Sequence, residues 1–315
     1  MNNTKIIILR AFKDKPGGYI SGEKLSKKLK VSRSAIWKNI EGLRLGGYRI
    51  DACQNRGYRL TGEPDLLDIE LLKSKGINYQ ETVDSTNLAA RQLAENGAGN
   101  FTVIAADEQL SGRGRHGRNW HSPKDKGLWF TIILRPQAAA PAKISSITLV
   151  TAAVVADYLN TINLSLTVKW PNDLLARGKK AGGILTEFKG EPDRTEYLLI
   201  GIGLNVHHHA DDFPDELKAL ATSLSLESNT DIKRTELLLA ILDKLQQAYE
   251  LYFAAGFAPF LQLWKKYNVT LGRRVKVELP QGSIEGKAIE LNGNGALVLQ
   301  DESGVIHTIS YGEIV

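Results

Sequence analysis

The first 62 residues switch from helical to strand-like patterning. In NNTKIIILRAFKD, residues 2–14, Ile6, Leu9 and Phe12 recur at helical spacing and predict a helix with those three on its inner side. ISGEKLSKKLK, residues 20–30, predicts a second helix. The Ser21 hydroxyl can accept an orphan backbone N–H there, and Glu23 suits the positive helix end. Ser32 is the N-cap candidate of a third helix, in which Ile36, Ile40 and Leu43 follow at helical spacing and which Gly46 and Gly47 end. YRIDA and GYRLT, joined by CQNR, then read as a hairpin.

Residues 65 to about 268 change texture. FTVIAADEQ, GLWFTIILR, LTVKWPNDLLA, GGILTEFKG and TEYLLIGIGLNV read as apolar strands. TNLAARQLAEN, SSITLVTAAVVADYLNTI and TELLLAILDKLQQAYELYFAA read as helices between and after them. The pattern predicts an α/β (α+β) core on a mixed or mostly antiparallel sheet, with the strand pairing left open. Residues 270–315 are short strands broken by PQG and NGNG. The expected organisation is therefore 1–63, 65–268 and 270–315.

Composition narrows the class. The balance of 43% hydrophobic and 24% charged residues suits a globular chain with a sizeable core. A net charge of +5 permits an anionic partner without requiring one. Cys53 is the single cysteine, so no intrachain disulfide can form and a reducing compartment fits. The N-terminal apolar run is too short for a signal peptide. No stretch approaches the ~20 apolar residues of a membrane span. The expectation is a soluble cytoplasmic protein.

Five stretches hold candidate chemistry. Two helices with a tight turn, the second carrying Ser32, Arg33, Ser34, Trp37 and Lys38, suit a helix-turn-helix, and a hairpin with Arg56 at its tip suits a wing along DNA. The plainer reading is a docking domain with a solvated basic face. In DSTN, residues 84–87, hydroxyls and free N–H groups at a helix start can hold a carbonyl or carboxylate, or simply cap the helix. GRGRHGR, residues 112–118, places three arginines among three glycines. Arginine supplies fixed donors that match phosphate or carboxylate, and glycine lets backbone approach a ligand. A basic surface loop or RNA-binding segment would look the same, but no Lys-Ser/Thr pair follows, so it is not a Walker P-loop. In KWPNDLLARGKKAGGIL a hairpin would return Lys180 beside Asp173, where a carboxylate can hold a metal or orient the amine; a solvated surface turn is the alternative. GIGLNV, residues 201–206, has two strand glycines that permit close approach of a ligand or mark a bulge. His207, His208 and His209 lack chelating spacing.

The order DSTN, GRGRHGR with Trp120, KWPND, KKAGGIL, GIGLNV resembles the biotin protein ligases. With the winged helix it looks like their bifunctional bacterial form, the BirA family of ligase-repressors. The likeness spans essentially the whole chain, and His116 falls at a position that the motif leaves free.

The resemblance implies a winged helix-turn-helix, a central ligase domain and a small SH3-like C-terminal barrel. It implies an ATP-dependent ligase that forms biotinyl-5′-AMP with Mg²⁺ and passes biotin to a lysine of a biotin carboxyl carrier protein. It implies further a ligand-promoted homodimer that represses at a palindromic operator. By the same resemblance, Ser85, Thr86, Asn87 and Gln109 would hold biotin, with Gly112 lining the same pocket and Arg113 and Gly114 closing over it. Arg115 and Lys180 would meet the carboxyl–phosphate junction. Arg118, Trp120, Asn172 and Asn205 would take the adenylate. Asp173 would position Lys180, the metal or the incoming lysine, and no residue is assigned to the metal itself. A ligand sensor without catalysis and a lipoate-type ligase are the alternatives; the first would lack Arg115, Lys180 or Asp173, and all three are present.

Overall fold

The computed structural model describes residues 3–136, 146–191 and 194–315. Asn2 and Ser145, the first residues of two expected helices, lie outside the described residues. The chain forms two compact units, Met1–Leu66 and Leu67–Val315.

The first unit is three helices, α1 (Asn3–Lys13), α2 (Gly22–Leu29) and α3 (Arg33–Arg44), followed by the hairpin β1 (Arg49–Cys53) and β2 (Gly57–Gly62). Ser21 and Ser32 both cap, their hydroxyls accepting from Lys24 N and Ala35 N at 3.1 Å. Ile8, Leu9, Phe12, Leu25, Ile36, Ile40 and Leu43 form one core. The expected inner face of α1 is corrected at one position: Ile6 is 38% exposed, and Ile8 and Ala11 are buried in its stead. With three isoleucines in a row the spacing fits two adjacent faces, and packing chooses. α3 ends at Arg44, two residues before Gly46. Burying Ile36, Ile40 and Leu43 leaves Arg33, Ser34, Trp37 and Lys38 on the outer side of α3.

The second unit begins with α4 (Ile69–Ser74), β3 (Asn78–Val83), α5 (Thr86–Glu95), β4 (Thr102–Gln109) and β5 (Gly127–Leu134). It continues through α6 (Ile147–Thr161), β6 (Leu166–Lys169), β7 (Asp173–Ala176), β8 (Lys179–Glu191), β9 (Arg194–Asn205), α7 (Leu224–Glu227), α8 (Arg234–Ala255) and α9 (Leu261–Tyr267). Strands β3 to β9 form one sheet in the order β3-β4-β5-β9-β8-β7-β6. Only β3 and β4 pair in parallel, so the sheet is mixed. Both faces are covered. Along β4, Val103 and Ala105 join the core under α6 and α8, whereas Ile104 packs with Ala90 and Ala94 of α5. That double cover is why β5 is buried at every position and reads as a continuous apolar run.

The last strands, β10 (Arg274–Leu279), β11 (Gly282–Leu291), β12 (Leu297–Gln300), β13 (Ile306–Ile309) and β14 (Glu313–Ile314), make an antiparallel sheet ordered β13-β12-β11-β10-β14. Its end strands do not pair, so the expected barrel is an open five-stranded sheet. Val275, Val277, Leu297 and Ile314 alternate inward and join the same core as the central sheet.

Candidate active site

A cavity of about 270 Å³ opens at one end of the central sheet. Three features of the chain build it. The hairpin β7–β8 turns on Arg177 and Gly178, whose positive φ angles of 46° and 82° suit a tight two-residue turn. It returns Lys180 Nζ to 2.6 Å from Asp173 Oδ1. That oxygen has no aligned hydrogen bond, so the pair is a close charge contact. Lys180 Nζ also lies 5.4 Å from the Trp120 ring centroid, over its face. The main chain of Lys180 is fixed separately, by Leu220 O at 2.8 Å and Thr222 N at 2.9 Å.

The GRGRHGR loop folds on itself. Gly114 N donates to Arg118 O at 2.7 Å, Trp120 N to Gly112 O at 2.8 Å, and His116 and Gly117 take φ of 54° and 73°. The turn sends Arg115 inward, where its Nη1 donates to Asn172 Oδ1 at 3.2 Å. Burial pulls the Arg115 guanidinium below its ordinary value, partly offset by Glu313 and Asp173. Arginine stays charged even so. Arg118 pairs with Glu313 of β14.

A further part of the wall is neutral and polar. Ser85 is 3% exposed and stands at the N-cap of α5 without capping it, which leaves its hydroxyl for the cavity. Gln109 accepts from Thr86 N at 2.8 Å and donates from Nε2 to Ser122 Oγ at 2.8 Å. Asn205 donates to Thr222 O at 3.0 Å.

Of the expected residues, Ser85, Asn87, Gln109, Arg113, Gly114, Arg115, Arg118, Trp120, Asn172, Asp173, Lys180 and Asn205 line this cavity. Thr86 and Gly112 stand behind the wall. Thr86 supports Gln109, and a Cβ on Gly112 would lie 2.4 Å from Trp120 O. A Cβ on Gly203 would lie 2.5 Å from Trp120 Nε1, so the strand glycine makes room for a side chain. The DNA candidates are in the first unit, where Arg56 sits 4.3 Å over the Tyr19 ring. The histidine run splits up. His207 meets Ser225 Oγ at 2.8 Å, His208 is buried and stacked 4.8 Å from Phe213, and His209 caps a short 3₁₀ turn.

Residues 79–205 match the biotin/lipoate A/B protein ligase family, 5–59 an HTH domain, and 270–315 the biotin protein ligase C-terminal domain. The chain is 38% identical over 307 residues to the bifunctional ligase/repressor BirA of Bacillus spizizenii, covering 95% of this chain and 94% of that one. The chain belongs to the biotin protein ligase family. This ligase is also 32% identical over 229 residues to the biotin--[acetyl-CoA-carboxylase] ligase of Paracoccus denitrificans, covering 70% of this chain and 92% of that one. A solved biotin protein ligase from Aquifex aeolicus, in complex with biotin and ATP, superposes with a TM-score of 0.65 at 30% identity, covering 76% of this chain and 98% of that one.

Sequence reasoning missed part of the ligase cavity. Glu313 and Ile314 reach it from the last strand, and Phe213, Leu217 and Leu220 from the loop after β9. The apolar FPDELKALA segment was the available sign, since a loop with spaced Phe and Leu needs something to cover.

Proposed function

We propose that this ligase joins biotin to a lysine of a carrier protein in two steps and represses transcription when loaded with the intermediate. In the first step the biotin carboxylate attacks the α-phosphate of ATP, giving biotinyl-5′-AMP and pyrophosphate. In the second the acceptor lysine attacks the mixed anhydride and AMP leaves. The carrier is of the acetyl-CoA carboxylase kind named for the Paracoccus relative. The observation that carries the reading is one cavity lined both by the neutral polar residues Ser85, Asn87 and Gln109 and by the cations Arg115 and Lys180. Biotin's neutral ring fits the first, and its carboxylate beside a phosphate fits the second.

Arg115 and Lys180 meet the junction where charge builds on the phosphate oxygens. Arg113 and Gly114 close over the ligand, with Gly112 setting the loop beside Thr86 and Gln109. Trp120 offers a face to adenine, and Arg118, Asn172 and Asn205 take the rest of the adenylate. Mg²⁺ shields phosphate charge when bound. Among the described residues no three His, Cys, Asp or Glu side chains gather as a metal site. Asp173 and Glu313 are the carboxylates in the wall, too few for a dedicated cage, which fits Mg²⁺ held mainly by the nucleotide. Asp173 would hold it there.

For repression, Ser32, Arg33, Ser34, Trp37 and Lys38 would enter the major groove and Arg56 would follow the backbone. A ligand-promoted homodimer acting in the cytoplasm would read a palindromic operator. No helix among the described residues is long and apolar enough to cross a membrane. Labelled biotin, ATP, Mg²⁺ and a carrier domain test the ligase: label on the carrier lysine is expected, and its absence, or equal labelling with lipoate, defeats the reading.

A further inference from the structure

Behind the neutral wall runs a chain of buried hydrogen bonds that ends on a carboxylate outside the cavity. Asn87, 4% exposed, donates from Nδ2 to Glu187 Oε2 at 2.8 Å. Its Oδ1 accepts from Thr131 Oγ1 at 2.7 Å. Thr131 is fully buried, and its hydroxyl also stands 2.9 Å from Thr86 Oγ1. Thr86 in turn holds Gln109 Oε1 through its N–H and its hydroxyl. Glu187 lies on β8 beyond Gly183, the last β8 residue that β7 covers, and its other oxygen takes Arg91 Nη2 at 2.9 Å.

The direction of this chain is set at its outer end. An ionised carboxylate only accepts, so it selects the Nδ2 side of Asn87 and turns Oδ1 toward Thr131. Thr131 has one hydrogen for two oxygens, and the shorter contact places it on Asn87. With Glu187 removed, the Asn87 amide is free to flip. Nδ2 would then donate to Thr131, and the Thr131 hydrogen would pass to Thr86. The wall would present a different set of donors to whatever lies against Asn87 and Gln109. Gly201 guards the other side, since a Cβ there would lie 2.1 Å from Asn87 Oδ1.

We infer that Glu187, held by Arg91, is a positioning residue that fixes the amide orientation of Asn87 and through it the polar wall that receives biotin. This rests on the functional reading above. Its consequence is selective: the biotin end should weaken while the ATP end does not.

The test is steady-state kinetics and equilibrium biotin binding by calorimetry on the full chain. Glu187→Ala should raise KM and Kd for biotin about tenfold, with KM for ATP and kcat within twofold. Glu187→Gln offers one acceptor where the carboxylate offers two, and Arg91 competes with Asn87 Nδ2 for it, so the amide orientation is no longer selected and the same biotin-selective defect is expected in weaker form. Gly201→Ala, which presses on the same amide from the cavity side, should reproduce the biotin-selective defect. Glu187→Ala with native biotin KM, or with biotin and ATP KM raised alike, overturns the positioning role. A native chain that binds no biotin overturns the functional reading instead.

Discussion

Replacing Lys180 by alanine isolates one charge. The Lys180 main chain is held by Leu220 and Thr222, so truncation leaves the strand and the cavity outline in place. Its ion pair with Asp173 is partly exposed, at 36% and 23%, so the loss to stability is small. What disappears is a cation 2.6 Å from Asp173 and over Trp120, which the proposed function assigns to the phosphate. One preorganised donor to developing charge contributes ~3–4 kcal/mol, or about 10²–10³ in rate. Lys180→Ala should therefore slow adenylation by at least 10²-fold in single-turnover formation of biotinyl-AMP, with biotin binding nearly intact. A mutant that adenylates at near-native speed refutes the assignment. Asp173→Asn in both backgrounds separates the roles open to that carboxylate. If Asp173 only positions Lys180, its loss changes nothing once Lys180 is gone. If it serves the metal or the incoming lysine, its loss still slows one of the two half-reactions.

Further outcomes follow from other parts of the fold. Arg115→Gly removes charge and stiffness from the closing loop at once, so biotinyl-AMP should escape and label bystander lysines; a blot of albumin incubated with mutant, biotin and ATP that shows no more biotin than native counts against the loop as a seal. Arg234 is fully buried against Asp107 at 3.1 Å and Asp125 at 3.6 Å, so Arg234→Leu leaves the buried Asp107 without its cation and should destabilise the second unit by about 3–5 kcal/mol in urea unfolding. Burial pushes His208 down to about 3, so the unfolded chain takes up the proton first as pH falls below the ordinary value near 6.5. Stability is full above that value and falls by about 1.4 kcal/mol per unit below it, ~2 kcal/mol at pH 5, and His208→Phe should flatten this slope in thermal melts. Deleting residues 1–62 should abolish operator binding and spare biotin transfer; retained DNA binding would refute the assignment of the winged helix.

Local rules carried far in this sequence. Ser21 and Ser32 announce their helices because a cap needs only its own next three residues. Asp173 and Lys180 meet because a hairpin brings near neighbours together. The same locality hid other features. Arg118 and Glu313 are 195 residues apart, and nothing in the pattern around either names its partner. Glu187 looks like an ordinary outward charge on a strand until β9 and α5 place Asn87 beside it. Thr86 and Gly112 belong to the motifs and yet stand behind the wall, because a motif records residues that shape a site together with those that touch its ligand. Gly201 and Gly203 were legible as points of close approach, but what approaches is Asn87 and Trp120.

Two of the three arginines of the GRGRHGR loop, and Lys180 beside them, have partners within the protein. Lys180 rests on Asp173, Arg115 on Asn172, and Arg118 on Glu313. None of these three is stranded, and each partner is weaker than a phosphate in geometry or charge. Asn172 is neutral, the Asp173 contact lacks hydrogen-bond alignment, and Arg118 is 62% exposed in its pair. On the proposed function, an incoming polyphosphate would exchange these partners without first dehydrating a free cation, and would gain by the better fit of phosphate to guanidinium. The two released carboxylates would then stand beside the nucleotide, where Asp173 would be placed to meet a further cation, Mg²⁺ in the first step or the carrier's lysine in the second. The ordering of the half-reactions is in this view an ordering of cations at one carboxylate.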